Sequence, residues 1–552
     1  MEGAGEGEGE GERVGEREGE GEGEGEPPPP PPRLHASPPP GVVLGPAQVS
    51  VSAVDAEALG PLRLWYTTDG SAPIPSVSSE LVGPLDLSQS TELRVVATDP
   101  AGTAQLGFAG LWLFAEGDAA SFSTDLPLLL FWTRGEVPQE KSELYTSFSM
   151  LVLEPSAGGR VVFPAGASVA TRAGLKIRGS SSAWYPKFPW RLELWDELSD
   201  DDRELPLLGM PAESDWALGA PLDFDRALMR TTLAYQLSRD AGRYAPRTQH
   251  VEVFILGEGG ALRSEDYVGV YELTETVKRD ADRVAVTRIE PGDVAYPAVT
   301  GGYLFKEDRT GPDEAGFTAG TADGALWFQQ PFVWVTPRES ELAEAQRGYV
   351  VGLLDDLGRA LTSPAFISPT SGLHYSAILD TDSFIDHHIL NVFAKNPDAL
   401  RLSGYFHKDR LGLLAAGPLW DFDRTMGCAS DDRASDPTWW DATNVTSDTT
   451  DMFHHGFYGG LFTDPAFRAA YFARMEVLLA GPLAPAHTHA LLDSWAEELA
   501  EAQTRNFARW SDYGPRGTFD DEVQVLKDWL AERHGWMSAC LALPDPMDCT
   551  GD

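Results

Sequence analysis

Cysteine is scarce in this sequence: three in 552 residues, Cys428, Cys540 and Cys549, with no C-x-x-C spacing. That excludes an ordinary zinc finger and a thioredoxin-like redox site, both of which need closely paired cysteines. Cys540 and Cys549 lie near enough to pair across a short loop. Long apolar runs are also missing. No stretch approaches the roughly 20 residues that span a bilayer, so no transmembrane segment is expected. The start, "MEGAGEGEGE", shows no basic region followed by an apolar one, and no export signal is legible in it. Basic residues are outnumbered: 42 Lys and Arg against 85 Asp and Glu give a formal net charge of -43. Such a surface repels a phosphate backbone or an anionic membrane, which excludes nucleic acid as a partner, and it suits basic partners and metal cations.

What is present is mostly globular. A hydrophobic content of 42% with 16 Trp supports real cores, in roughly two to four domains for a chain of this length. Residues 1–40 join an alternating Gly/Glu tract to the proline run "PPPPPPRLHASPPP"; the first reads as a solvated coil and the second as a stiff polyproline II spacer. Residues 41–118 carry short strands divided by turns: "LRLWYTT", "DGSAP", "GPLDLS", "TELRVVAT" and "DPAG". This is the pattern of a small antiparallel β-sandwich.

From residue 119 to 552 strands mix with helices, and the fold class is α+β. "GLKIRG", "PWRLELW", "HVEVFIL", "YVGVYELTE" and "GGYLFKED" read as strands, and "DRALMRTTLAYQLSRDAG" as a helix with a Gly stop. "DTDSFIDHHILNVFAKN" places Phe384, Ile385, Ile389, Val392 and Phe393 on one helical face, with Asp382 as its expected N-cap. After residue 460 the chain turns helical in "TDPAFRAAYFARMEVLLAGP" and "DDEVQVLKDWLAERHGW".

Three stretches concentrate polar residues where core patterning would not put them: "RGSSSAWYPKFPWRLEL", "NPDALRLSGYFHKDR" and "GPLWDFDRTMG". The last sets Asp421 and Asp423 among apolar neighbours, and charges so placed need a basic partner or a metal ion. Basic residues on strands, then an Asp past a helix, then an Asp pair past a strand is an order that suits phosphoryl transfer. Phosphates need a fixed cation, magnesium needs carboxylate oxygens, and the attacking hydroxyl needs a carboxylate within hydrogen-bond reach. Plainer readings compete: Asp421 and Asp423 as turn residues paired with Arg424, Lys187 as an edge-strand lysine, Asp398 as a turn residue after Pro397, Glu275 as a capping residue. The pairs His387-His388 and His454-His455 do not make a zinc site by themselves, because adjacent helical residues point about 100° apart.

Two resemblances sharpen this. "WYTTDGSAP...LVGPLDLSQSTELRVVATDPAG", with Tyr66, Asp69, Gly70 and Pro73 in its turn, resembles the small β-sandwich module at the C-terminal end of chitobiase-type enzymes, which implies a spacer or a weak carbohydrate contact. From residue 119 onward "LKIRGSSS", "YPK", "LLGMPAESDWAL", "YVGVYELTETVKR", "GGYLFKEDR", "SFIDHHILNVFAKNPDA" and "GPLWDFDRTMG" resemble, in order, the CotH-type kinases named for a spore-coat protein. That resemblance implies a bilobal, atypical protein-kinase fold that uses ATP with Mg²⁺ or Mn²⁺ to phosphorylate Ser or Thr of a protein substrate, itself included. It implies Asp398 as the catalytic residue, Asp421 with Asp423 and Ser403 at the metal, and Arg178, Lys187 and Glu275 around the phosphates. It also implies a secreted or envelope location. Four positions depart from the family's usual R-G-N-S-S, P-K-K, R-N and N-x-D...N: Ser180, Phe188, Thr231 and Ser403. Because Ser403 replaces an Asn that normally ligates metal, a weakened kinase fold kept for binding a partner is the alternative, and a carbohydrate-associated enzyme is a third reading.

Overall fold

A computed structural model describes residues 31–102, 105–180, 182–311, 314–428, 430, 432–441 and 451–549. Most of the tail read at residues 1–40 lies outside them. Its end does not, and there the expectation of a coil and spacer is corrected. Arg33–Ser37 is a strand, paired antiparallel with Ala47–Val54, and Leu34 and Ala36 are buried. The alternation of Leu and Ala in "RLHAS" is enough to fill a pleated face, despite proline on both sides.

Two sheets form the N-terminal sandwich. One is Arg33–Ser37, Ala47–Val54 and Leu85–Leu87; the other includes Arg63–Thr67, Thr91–Thr98 and Gln105–Ala115. Val49, Leu93, Val95, Ala97 and Trp112 fill the space between them. The second sheet does not end with the module. Ala165–Gly166 pairs with its strand Gly41–Val43, and Ala261–Leu262 lies parallel to Gln105–Ala115.

Next, seven strands close into a barrel in the order Leu128–Trp132, Thr146–Leu153, Val169–Ile177, Trp190–Trp195, Asp215–Gly219, Tyr267–Glu275 and Thr248–Leu256, sealed by parallel pairing of the last with the first. Alternate residues point inward, among them Phe131, Met150, Leu175, Leu192, Trp216, Val253 and Leu273. The first strand, "LLLFW", is apolar throughout because its outer face is covered too: Leu128, Leu130 and Trp132 pack with Leu111 and Leu113 of the sandwich. Charges cross the same joint. Arg172 of the barrel meets Glu92 of the sandwich and binds Asp200 at 2.5 and 2.8 Å, and Arg94 reaches Asp200 at 3.2 Å.

A second sheet, ordered Gly316–Phe317, Phe332–Thr336, Tyr303–Glu307, Gly404–Lys408 and Leu414–Ala416, backs onto helices. The helix expected from residue 225 starts only at Arg230 and runs to Asp240, since Leu228 has a left-handed φ of 62°. The helix Thr381–Ala394 is capped by Asp380, whose carboxylate accepts from the Ser383 N–H at 3.2 Å, and not by Asp382. Helices Pro465–Ala480 and Phe519–Leu541 follow as expected, and Cys540 is bonded to Cys549. No helix among the described residues is long and apolar enough to cross a membrane.

Candidate active site

A cleft of about 730 Å³ opens between the barrel and the second sheet. Arg178, Lys187, Asp398, Ser403, Asp421 and Asp423 all line it. Residues spread over nearly 250 positions thus converge, and Glu275 is the one expected site residue that does not.

The strand Leu414–Ala416 delivers the Asp pair. Beyond it Gly417 takes a φ of 111°, with its N–H donating to the Tyr405 carbonyl at 2.8 Å, and Asp421 takes a φ of 67°. Phe422 is buried in the helical core, and Trp420 stacks on the Tyr235 ring at 6.1 Å. The aromatic residues hold the loop and turn the alternating carboxylates to the cleft, where Asp421 is exposed and Asp423 half-buried. The Asp421 N–H donates to the Tyr235 hydroxyl at 3.2 Å, but among the described residues no hydrogen-bond donor reaches either carboxylate. Both titrate above the usual carboxylate range. For Asp421 the first cause is desolvation by the surrounding cleft walls, moderated by the opening of its carboxylate to solvent, opposed by Arg178 and reinforced by Asp398 and Asp308. For Asp423 it is again desolvation, and then repulsion from Asp421.

Asp398 follows the helix Thr381–Ala394, which ends at Lys395 in the left-handed region with a φ of 46°. Asn396 shapes the turn by accepting the Asp398 N–H at 3.0 Å. The Asp398 carboxylate accepts from Arg401 at 2.7 Å and has Arg433 at 3.7 Å. Arg178 lies over the Trp420 ring at 4.9 Å, beside the Asp pair.

Lys187 is 1% exposed and is spent on the protein. Its ammonium donates to the Pro221 carbonyl at 2.9 Å, to the Asn506 Oδ1 at 3.0 Å and to the Val270 carbonyl. An ammonium has three donors. Burial lowers its pKa to about 7, against the pull of Glu272 and Asp225. Glu275 sits elsewhere, on Arg247 at 2.7 Å and Arg283 at 3.7 Å. The carboxylate that this strand sends to the cleft is that of Glu272, pushed up to about 7 by burial and by Asp225. Strand parity explains the difference: residues three apart face opposite ways, and Tyr271 and Leu273 already point into the barrel.

Of the four departures, Ser180 accepts from Arg309 at 3.4 Å, Thr231 and Ser403 line the cleft, and Phe188 packs against the barrel core, ring on ring with Trp190 at 6.0 Å. Sequence reasoning missed Lys306, whose ammonium pairs with Asp308 at 2.7 Å in the cleft wall; the charged end of "YLFKED" was the signal available.

Three of the four paired histidines serve the core, and His454 is exposed, on Asp451 at 2.9 Å. His388 bonds the Tyr471 hydroxyl at 2.8 Å and the Met452 carbonyl at 2.7 Å, and His455 meets Glu307 at 2.9 Å. Burial lowers the pKa of His387 to about 4 and that of His388 to about 3, so both are neutral. Among the described residues no group of three or more His, Cys, Asp or Glu stands together so as to hold a metal ion. Magnesium in phosphoryl transfer needs none: it takes one or two carboxylates and completes its shell with phosphate oxygens and water. Two mutually repelling carboxylates without donors fit that demand.

No curated protein matches the chain. The model of a family described as CotH kinase protein matches residues 175–537, well over half of the sequence and every residue named above as lining the cleft. The chain belongs to the CotH kinase protein family.

Proposed function

We propose that the cleft transfers the γ-phosphoryl group of ATP to a Ser or Thr hydroxyl of a protein, on a bilobal kinase-like frame with the barrel as one lobe and the second sheet with its helices as the other. The observation that carries this reading is the placement of Asp398 in one cleft with a carboxylate pair that lacks donors. Asp398 receives the hydroxyl proton as the new O–P bond forms and the bond from Pγ to its bridging oxygen breaks. Arg178 and Lys306 supply positive charge beside the phosphates, the role that the buried donors of Lys187 leave open. Mg²⁺ or Mn²⁺ held by Asp421 and Asp423 would neutralise phosphate charge. The Cys540–Cys549 bond supports an oxidising, extracytoplasmic setting for the protein, and the sandwich is a spacer with at most weak carbohydrate contact.

The test is cation-linked stability. Carboxylates whose folded pKa is raised favour the protonated form, so the metal-free protein loses stability as pH rises through the raised values. A cation offsets that loss only once the carboxylates are ionised. Mg²⁺ should therefore raise the melting temperature more at about pH 8 than at about pH 5. An equal shift at both, or none, would sink the metal assignment.

Ser403 favours a second reading, a weakened kinase that binds its partner. The residue occupies a left-handed φ of 52°, where Asn is at home, and its hydroxyl is a shorter ligand than the family's usual Asn. Ser403→Asn should leave the melting temperature unchanged or slightly raised, since Asn suits that φ, and raise kcat at saturating ATP by about 3- to 10-fold. Unchanged kcat in an active wild type would mean that Ser403 or water already does the work.

A further inference from the structure

The geometry points to Arg230 as a positioning residue that sets the Asp421–Asp423 loop from outside the site. The inference rests on the reading of that pair as the cation ligands. Arg230 is the first residue of the helix Arg230–Asp240 and is 1% exposed. Its Nε donates to the Thr425 carbonyl at 3.1 Å, and its Nη2 is shared between the carbonyls of Met426 and Gly427, at 3.5 Å each. Three successive carbonyls of the turn after Asp423 therefore face one guanidinium.

Asp225, also 1% exposed, holds the other side. Its carboxylate accepts from Arg230 Nη1 at 2.7 Å and from the Arg230 N–H at 2.7 Å. The planar fork is fixed at both ends, which a flexible ammonium with no planar spread of donors cannot reproduce. The same turn is fastened on its far side. The Met426 N–H donates to the Ala394 carbonyl, at the end of the helix that precedes Asp398, at 2.9 Å, and the Gly427 N–H donates to the Ala434 carbonyl at 3.1 Å. A side chain at Gly427 would meet Trp529 at 2.6 Å. Arg230 thus joins the helix on one wall of the cleft to the loop that bears Asp421 and Asp423 and, through Met426, to the segment that bears Asp398.

The charge is needed because Asp225 lines the cleft and is among the groups that repel Asp423. Arg230 neutralises it without touching the cation pair. Removing the guanidinium alone would leave a buried carboxylate uncompensated and three carbonyls without their donor.

Two variants of the full chain test this. Arg230→Lys keeps the charge opposite Asp225 but not the fork; Arg230→Gln with Asp225→Asn removes both charges together, so that a folded protein is available if the lysine is poorly tolerated. Mn²⁺ affinity is read by electron paramagnetic resonance without nucleotide, beside melting temperature and transfer kinetics. A loop displaced by about 1 Å should raise the Mn²⁺ Kd roughly 10-fold and lower kcat at saturating metal and ATP by about 10²-fold in the folded variants. Variants that melt lower but bind Mn²⁺ and turn over like wild type would show a merely structural role and overturn the inference. Wild type that binds no Mn²⁺ would overturn the cation reading, and the inference with it.

Discussion

Asp398→Asn is expected to lower transfer of label from γ-labelled ATP to a Ser-rich acceptor protein by on the order of 10²- to 10⁴-fold, with Mg-ATP affinity nearly unchanged. The substitution is isosteric, and its amide oxygen can still accept from Arg401, which now holds the carboxylate at 2.7 Å. The turn built by Asn396 and the left-handed Lys395 does not depend on the charge. What is lost is the capacity to take a proton. Binding and chemistry should therefore separate, which a general loss of folding would not produce. A variant as active as wild type would refute the assignment and make Asp423 the next base to try. Wild type that binds Mg-ATP and labels no acceptor, nor itself, would favour the weakened-kinase reading that Ser403 suggests.

The second large effect is a trade. Asp421→Asn and Asp423→Asn should each abolish the cation dependence of ATP binding, so that calorimetry with Mg²⁺ and with chelator gives the same affinity. Each should also raise the melting temperature of the metal-free protein near pH 8, more for the half-buried Asp423 than for Asp421, whose exposure screens the repulsion, because one of two mutually repelling carboxylates becomes neutral. Asn suits Asp421 in particular, whose φ of 67° is one that Asn adopts readily. A variant that is destabilised at that pH and keeps its cation dependence would mean that the carboxylates are ordinary turn residues.

The strands were legible because their apolar period is two. "TELRVVAT" and "YVGVYELTE" became strands with the expected limits, Thr91–Thr98 and Tyr267–Glu275. The start of the sandwich was not, because proline flanks hide the alternation in Arg33–Ser37. Asp421, Asp423 and Asp398 were legible as polar groups in apolar settings, a pattern that local sequence displays. Lys187 was legible as a basic residue near a strand, but its burial depends on Asn506, more than 300 positions away. Glu275 and Glu272 show how far parity matters: a strand reading without a fixed inward face cannot choose between them. Arg230 was legible only as the Arg before Thr231 in the R-N pattern, with no role attached, since apart from Asp225 its partners are backbone carbonyls nearly 200 residues later.

The shared edge between sandwich and barrel has a consequence for how the chain is made. Gly41–Val43 lies between Gln105–Ala115 and Ala165–Gly166, and Ala261–Leu262 pairs in parallel with the end of Gln105–Ala115. A ribosome that has produced the first 118 residues has not yet supplied those two short strands, nor Arg172, the buried counter-ion of Glu92. The nascent sandwich therefore exposes an unfinished sheet until about residue 262 has emerged, at a time set by translation at ~5–20 residues per second. Its final form belongs to the later stages of synthesis, even though its sequence comes first.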